Sequence, residues 1–392
     1  MNKRALKTIL RNSLVPFVLL AFFLLGFYAL ERFSPFGLTD GETVTLDQAP
    51  SGEGSGADGF QIEQVIKRNV GYPVYNLMPV DRDRFVFTDN QTNLSLLSKR
   101  LAEDEQSTTP EWMSIERARI GVMNVNDDHT TFLNTNIIPE SVALSPDRSL
   151  LLYSAFGHES SKLETLVLKL ASGETLQRFD TESFANLFID QDTIMGFTAD
   201  TFTIQDISNA NPVVSMSSLK VDGKWWRSLK SAGTPNQFYL MTQSTDGSEE
   251  IYRYNLRRQN KTRTSKIMEG DNINDFIPLN ERMLLYLSSR NETEGIYAFD
   301  WTNHQHVLLR KGVMSSFDVA PSNNKVAYAL QNGSGVWELH AAWLRDGKLE
   351  GDRLIYGGLR NLDSVKWSPD GDAIFCVSIN MEGSILYRFI LK

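Results

Sequence analysis

The sequence predicts an all-β fold: a seven-bladed β-propeller of four-stranded blades, preceded by one N-terminal transmembrane helix. Three observations carry the propeller. An apolar run recurs at a near-constant period, each run follows a turn of Pro, Asp, Asn or Ser, and the two chain ends of the repeat region complement each other. Such periodicity is the signature of stacked supersecondary units.

The turns and runs come in chain order. Asp81-Arg82-Asp83-Arg84 precedes Phe85-Val86-Phe87, and Ser145-Pro146-Asp147-Arg148 precedes Leu150-Leu151-Leu152-Tyr153. Asp190-Gln191-Asp192 precedes Ile194-Met195, and Thr234-Pro235-Asn236 precedes Phe238-Tyr239-Leu240. Leu279-Asn280-Glu281 precedes Met283-Leu284-Leu285-Tyr286, Pro321-Ser322-Asn323-Asn324 precedes Val326-Ala327-Tyr328, and Ser368-Pro369-Asp370-Gly371 precedes Ile374-Phe375. After a first step of 65 residues, the spacing between runs stays between 43 and 48, which suits a four-stranded blade.

A third strand follows each run, as at Ile251–Tyr254, Ile296–Phe299, Val336–Leu339 and Leu386–Phe389. Apolar and polar residues alternate in some of these, the mark of a half-buried strand. Weaker fourth strands follow, as at Leu176–Phe179 and His306–Leu309. The last blade has only three strands, and Phe60–Ile66 is strand-like but belongs to no blade. Pairing the two closes the ring and removes an exposed edge. The long first step is an insertion, residues 98–116, between strands of the first blade, and insertions of this kind often carry function.

The chain divides into a cytoplasmic tail (1–13), a signal anchor (14–32), a flexible acidic Gly/Ser linker (33–59) and the propeller (60–392). No charge occurs between Arg11 and Glu31. As a helix, residues 14–30 span about 26 Å, at the short end for a bilayer core. Lys3, Arg4, Lys7 and Arg11 place the N-terminus in the cytoplasm and the propeller outside it. A cleaved signal peptide is the rival reading. Its small-x-small cleavage site is poorly matched by Tyr28-Ala29-Leu30-Glu31-Arg32, and no cysteine follows to accept a lipid. The linker holds Asp40, Glu42, Asp47, Glu53 and Asp58 with no Lys or Arg, and as a flexible coil it reaches roughly 28 Å.

The net charge of −9 repels phosphate backbones and argues against a nucleic-acid partner. One cysteine, Cys376, lies in an apolar run, so intramolecular disulfides and thiolate zinc sites are excluded.

Val365-Lys366-Trp367-Ser368-Pro369-Asp370-Gly371 resembles the W-S-P-D-G signature of the TolB-like, PD40-type (WD40-like) bacterial propeller repeats. Val142-Ala143-Leu144-Ser145-Pro146-Asp147-Arg148 and Val319-Ala320-Pro321-Ser322-Asn323 are degenerate copies. The turn chemistry is sound, because Pro presets φ and Asp or Asn side chains bond nearby backbone. The resemblance covers residues 60–392 as architecture and implies a binding platform in a bacterial envelope. The extra N-terminal domain usual in TolB has no counterpart here.

No catalytic constellation emerges from the residues. There is no G-x-S-x-G elbow, no sialidase-type Asp box, no P-loop and no dinucleotide fingerprint. No cofactor and no metal are expected. His304-Gln305-His306 places two histidines on one side of an extended chain, though a polar hairpin connection explains them as well. Lys224-Trp225-Trp226-Arg227 is the most suggestive cluster, since adjacent aromatics with flanking cations make binding hot spots. The expected binding residues are Trp225, Trp226, Arg227 and, in the insertion, Trp112. The expected partner is an envelope protein or cell-wall polymer. The alternatives are an envelope glycan-active enzyme using channel carboxylates and the sensory ectodomain of a membrane signalling complex.

Overall fold

The computed structural model describes residues 43–44, 60–90 and 118–392, less the short segments 128, 138–140, 157–162, 180–184, 198–201, 209–211, 217–224, 232–236, 245, 258–260 and 381–382. The anchor and tail, most of the linker, the 98–116 insertion and Trp112 lie outside the described residues. Among the described residues no helix is long and apolar enough to cross a membrane.

The described chain is a seven-bladed propeller of antiparallel, four-stranded blades. Blade one runs through Tyr75–Pro79, Arg84–Asn90, Ala118–Asn124 and His129–Ile137. The first strands of blades two to seven are Ala143–Leu144, Ala185–Phe188, Trp225–Ser231, Ile273–Pro278, Met314–Val319 and Ser364–Trp367. These seven inner strands surround a central channel. Second strands begin at Arg84, Leu150, Thr193, Gln237, Met283, Lys325 and Ala373, each within one residue of the apolar run the sequence predicts. A single pair, Ile137 with Ala155, joins blades one and two into one longer sheet.

The continuous apolar runs have a packing cause. Each second strand is covered on both faces, by the preceding blade and by the following one. Phe85, Val86 and Phe87 are fully buried, as are Leu284 with Leu285 and Ile374 through Val377. The core is therefore seven separate wedges. One lies at each blade junction, for example around Phe276 between blades four and five or around Phe317 between five and six. Cys376 sits in the wedge between blades six and seven, where burial pushes its thiol well above the ordinary range.

Closure joins the chain ends. Ile62–Val70 pairs antiparallel with Gly383–Leu391, with Val65 opposite Phe389 and Arg68 opposite Leu386. The strand starts two residues later than the sequence suggests, because Phe60 leaves the sheet. Its ring stacks on Trp343 at 5.1 Å and fills the wedge between blades six and seven. Two buried arginines fasten the closure. Arg68 donates to the carbonyls of Val125 (2.9 Å) and Asn126 (3.1 Å) in blade one. Arg388 donates to Gln64 (2.9 Å) and pairs with Asp83 in the first turn of blade one. Thr43–Val44, within the linker segment, adds a fifth strand outside Ile62–Val70, with Thr43 opposite Ile66.

Candidate functional site

Of the turns that the sequence singles out, those of blades two, three, five and six line one mouth of the channel, and the turn of blade seven is hydrogen-bonded to blade six beside them. In blades two and seven they are built alike. The Ser145 hydroxyl donates to Asp147 (2.7 Å) and accepts from the Leu150 N–H (2.9 Å). Ser368 donates to Asp370 and accepts from the Ala373 N–H (2.9 Å). Burial opposes ionisation of Asp147, but hydrogen bonds from Ser145, Ser149 and Gln191 hold its carboxyl down to about 2. Neighbouring turns are tied together. Gln191 donates to Ser149 (3.3 Å), Asn323 to the Leu279 carbonyl (2.8 Å), and Lys325 to the Gly371 carbonyl (2.8 Å).

These turns and the ends of the inner strands frame a cavity of about 750 Å³ to which every blade contributes. Strand alternation decides which residues reach it. Along Ser364–Trp367, Val365 is buried between blades, Lys366 is half-buried and lines the cavity, and Trp367, buried in the wedge, closes the cavity's edge beside it. The equivalent positions are Met78, Leu187, Lys230, Ile277 and Asp318. At these strand positions blades one, three and five are apolar, and blades four, six and seven carry Lys230, Asp318 and Lys366.

Those charges are largely mutual. Lys366 pairs with Asp318 at 3.6 Å, and Asp318 also accepts the Trp367 N–H at 2.8 Å. Lys230 pairs with Asp275 at 3.1 Å, and Asp275 accepts the Phe276 N–H at 2.8 Å. The Asp318 charge, joined by that of Asp275, outweighs desolvation and raises the Lys366 ammonium above the ordinary lysine range. Asp190, at the rim, accepts the N–H groups of Asp192 (3.0 Å) and Thr193 (2.8 Å).

Arg148 differs from its neighbours. It lines the cavity, yet its guanidinium makes no ion pair or hydrogen bond with any described residue. Burial lowers its pKa, with Asp318 acting on it through space in the opposite sense. Its backbone is left-handed, φ 63°, as are those of Asn323 (56°) and Gly371 (75°) at the same place in their turns.

The residues expected from sequence sit elsewhere. Trp225, Trp226 and Arg227 open the inner strand of blade four, at the end away from its Lys230 and Ser231. For Trp225 and Trp226 the structure describes the backbone. Arg227 is exposed at an irregularity of the strand register, and its guanidinium meets the buried Glu249 at 3.1 Å. His304 and His306 do not converge on a shared ligand. His306 stacks on Phe299 at 4.4 Å and meets the Tyr286 hydroxyl at 2.8 Å, and burial lowers its pKa to about 4. Among the described residues no group of three or more His, Cys, Asp or Glu side chains is placed to hold a metal ion.

Sequence reasoning missed the cavity residues. The signal was present in two places: Asp318 and Lys366 stand at the same offset before their turns, and Arg148 replaces the glycine of the signature.

No family model matches the chain, and no curated protein matches it. Solved structures do: 922 chains match, so the fold is a widely shared one that by itself names no role. The hydrazine synthase of Kuenenia stuttgartiensis is 10% identical, with a TM-score of 0.52, over 82% of this chain and 96% of that one. A chain of the mitotic checkpoint complex gives 10% identity and a TM-score of 0.46 over 70% of this chain and 88% of that one. Identities this low show a shared fold and nothing further.

Proposed function

We propose that this chain is a membrane-anchored, extracytoplasmic binding scaffold of the TolB-like kind, which holds an envelope protein or cell-wall polymer at the turn-bearing mouth of its propeller. One observation supports this reading most. The cavity there draws on all seven blades, and of its two lining carboxylates Asp318 is committed to Lys366 and the Trp367 N–H while Asp190 accepts the N–H groups of Asp192 and Thr193. A catalytic pair of acids needs one carboxyl available as proton donor and another as base or nucleophile. Carboxylates already engaged by lysine and backbone N–H donors shape a binding surface instead.

The test is site-directed photocrosslinking in native membranes. A photoreactive residue at Met78, on the cavity wall, is compared with one at Lys348, on the outer strand of blade six. The scaffold reading expects a discrete crosslinked partner from the cavity position and none from the outer one. Crosslinks from Lys348 alone overturn the placement. Turnover of a cell-wall glycan that Asp318→Asn abolishes overturns the scaffold reading itself.

A further inference from the structure

We propose that Arg148 seats a carboxylate, and that the occupant of the cavity is a carboxylate carried on a short apolar body. This deepens the binding reading above and rests on it.

The pairing of the cavity's cations is the first ground. Of its three lining cations, Lys230 and Lys366 already face carboxylates at 3.1 and 3.6 Å. Arg148 has no such partner among the described residues. The remaining lining acid, Asp190, is engaged by the N–H groups of Asp192 and Thr193, so Arg148 is the lining cation with no carboxylate at contact distance among the described residues, which suits one incoming carboxylate. A phosphate dianion calls for more than one uncommitted cation. The guanidinium is a planar fork of donors that matches a carboxylate in two parallel hydrogen bonds. Partial exclusion of water strengthens such a pair well beyond its worth on an open surface.

The backbone is the second ground. Arg148 occupies a left-handed turn position that Gly371 and Asn323 fill in two other blades. Gly and Asn adopt that conformation readily, whereas a longer side chain does so under strain. The strained position carries the guanidinium into the cavity.

The wall is the third. Leu77, Met78, Leu144 and Leu187 line the cavity from blade two, whose turn carries Arg148, and from its neighbours, blades one and three. An apolar body beside the carboxylate would cover them. The volume of about 750 Å³ fits a compact molecule or the last few residues of a chain.

The experiment uses the full-length chain and three probes: N-acetyl-leucine, N-acetyl-leucinamide and inorganic phosphate, followed by saturation-transfer NMR and titration. The acid is expected to bind roughly tenfold or more tightly than the amide. Arg148→Gln should remove that preference, and Arg148→Lys should keep part of it. Melting of each variant controls for turn damage. If Arg148→Gln proves unstable, Leu187→Trp narrows the apolar side with the guanidinium intact and should weaken the acid alike. Equal binding of acid and amide, or undiminished acid binding by Arg148→Gln, overturns the assignment. Tighter binding of phosphate than of the acid overturns it too. A chain that binds neither leucine derivative but still yields the Met78 crosslink sinks this assignment and leaves the scaffold reading standing. Loss of that crosslink in the wild-type chain sinks both.

Discussion

His340 lies between two carboxylates, with Asp352 at 3.2 Å from one ring nitrogen and Glu338 at 3.2 Å from the other. Arg310, from the outer strand of blade five, meets the same Asp352 at 3.1 Å, so the cluster also joins blades five and six. Burial raises the Asp352 carboxyl, but hydrogen bonding to His340 and the His340 and Arg310 charges bring it below the usual carboxylate range. Glu338 is lowered chiefly by the Asn332 amide, which donates at 2.8 Å. Depressed folded pKa values stabilise the fold above the unfolded carboxylate range, and that stability fades as pH falls through the folded values. Asp352→Asn should therefore cost about 1–3 kcal/mol at neutral pH, with the gap to wild type narrowing below about pH 4. Denaturant melts across that range check it, and a pH-independent gap would refute the assignment. The tryptophans test another expectation. Trp226 lies at the end of its strand away from the cavity, so capture at the turn-bearing mouth should survive Trp226→Ala, whereas a loss of about 1–3 kcal/mol with melting unchanged, in that variant or in Trp112→Ala, would move the interface to these aromatic anchors. Full capture by both variants removes these anchors. Single residues were the least legible part of the sequence. Whether a lysine in an inner strand faces the channel or a wedge depends on a register that only the assembled ring fixes, as Lys366 beside the buried Val365 shows.

Strands and turns were far more legible. A second strand packed on both faces must be apolar throughout, so its run stands out from half-buried neighbours. The Ser-Pro-Asp turns were equally plain, because their chemistry is local: hydroxyl, carboxylate and backbone N–H within five residues. Phe60 was not legible as a plug, since its partner Trp343 lies far away in sequence. The closure strand yields the next prediction. Removing residues 1–58 should leave a chain that melts cooperatively. Removing 1–70 deletes the outer strand of blade seven with Phe60 and Arg68, and should lower the melting temperature by on the order of 10 °C or cause aggregation. Equal melting of the two chains contradicts closure by this strand. Gly383 offers a finer probe. It has φ 141°, and a Cβ there would strike the Val70 carbonyl, so Gly383→Ala should destabilise the chain carrying 59–70 more than the one lacking it.

Seven wedges shared between neighbours mean that no blade owns a complete core. A blade removed from the ring exposes two apolar faces, so the ring should unfold as one cooperative unit despite its repeats. The repeat period made this architecture readable without any family match, because it constrains every blade at once. The proposed anchor is tested on the intact cell surface. In spheroplasts, protease added outside should cut within residues 33–59 and leave the N-terminal tail protected. A soluble protein beginning near residue 30 would establish cleavage instead.

The short strand Thr43–Val44 alters what that leash can do. It pins the chain to the rim of blade seven, against Ile66 and Val65, well before the Gly/Ser-rich stretch ends. On the proposed anchor, the free length between bilayer and ring is then the ten residues between Arg32 and Thr43, not the whole linker. Fully extended, that is on the order of 35 Å. The propeller would hang by its edge from one blade, its channel axis swivelling about that point of suspension. Stripping the Thr43–Val44 pairing would lengthen the leash without touching any blade, so the height of the cavity above the membrane becomes a quantity that two residues set.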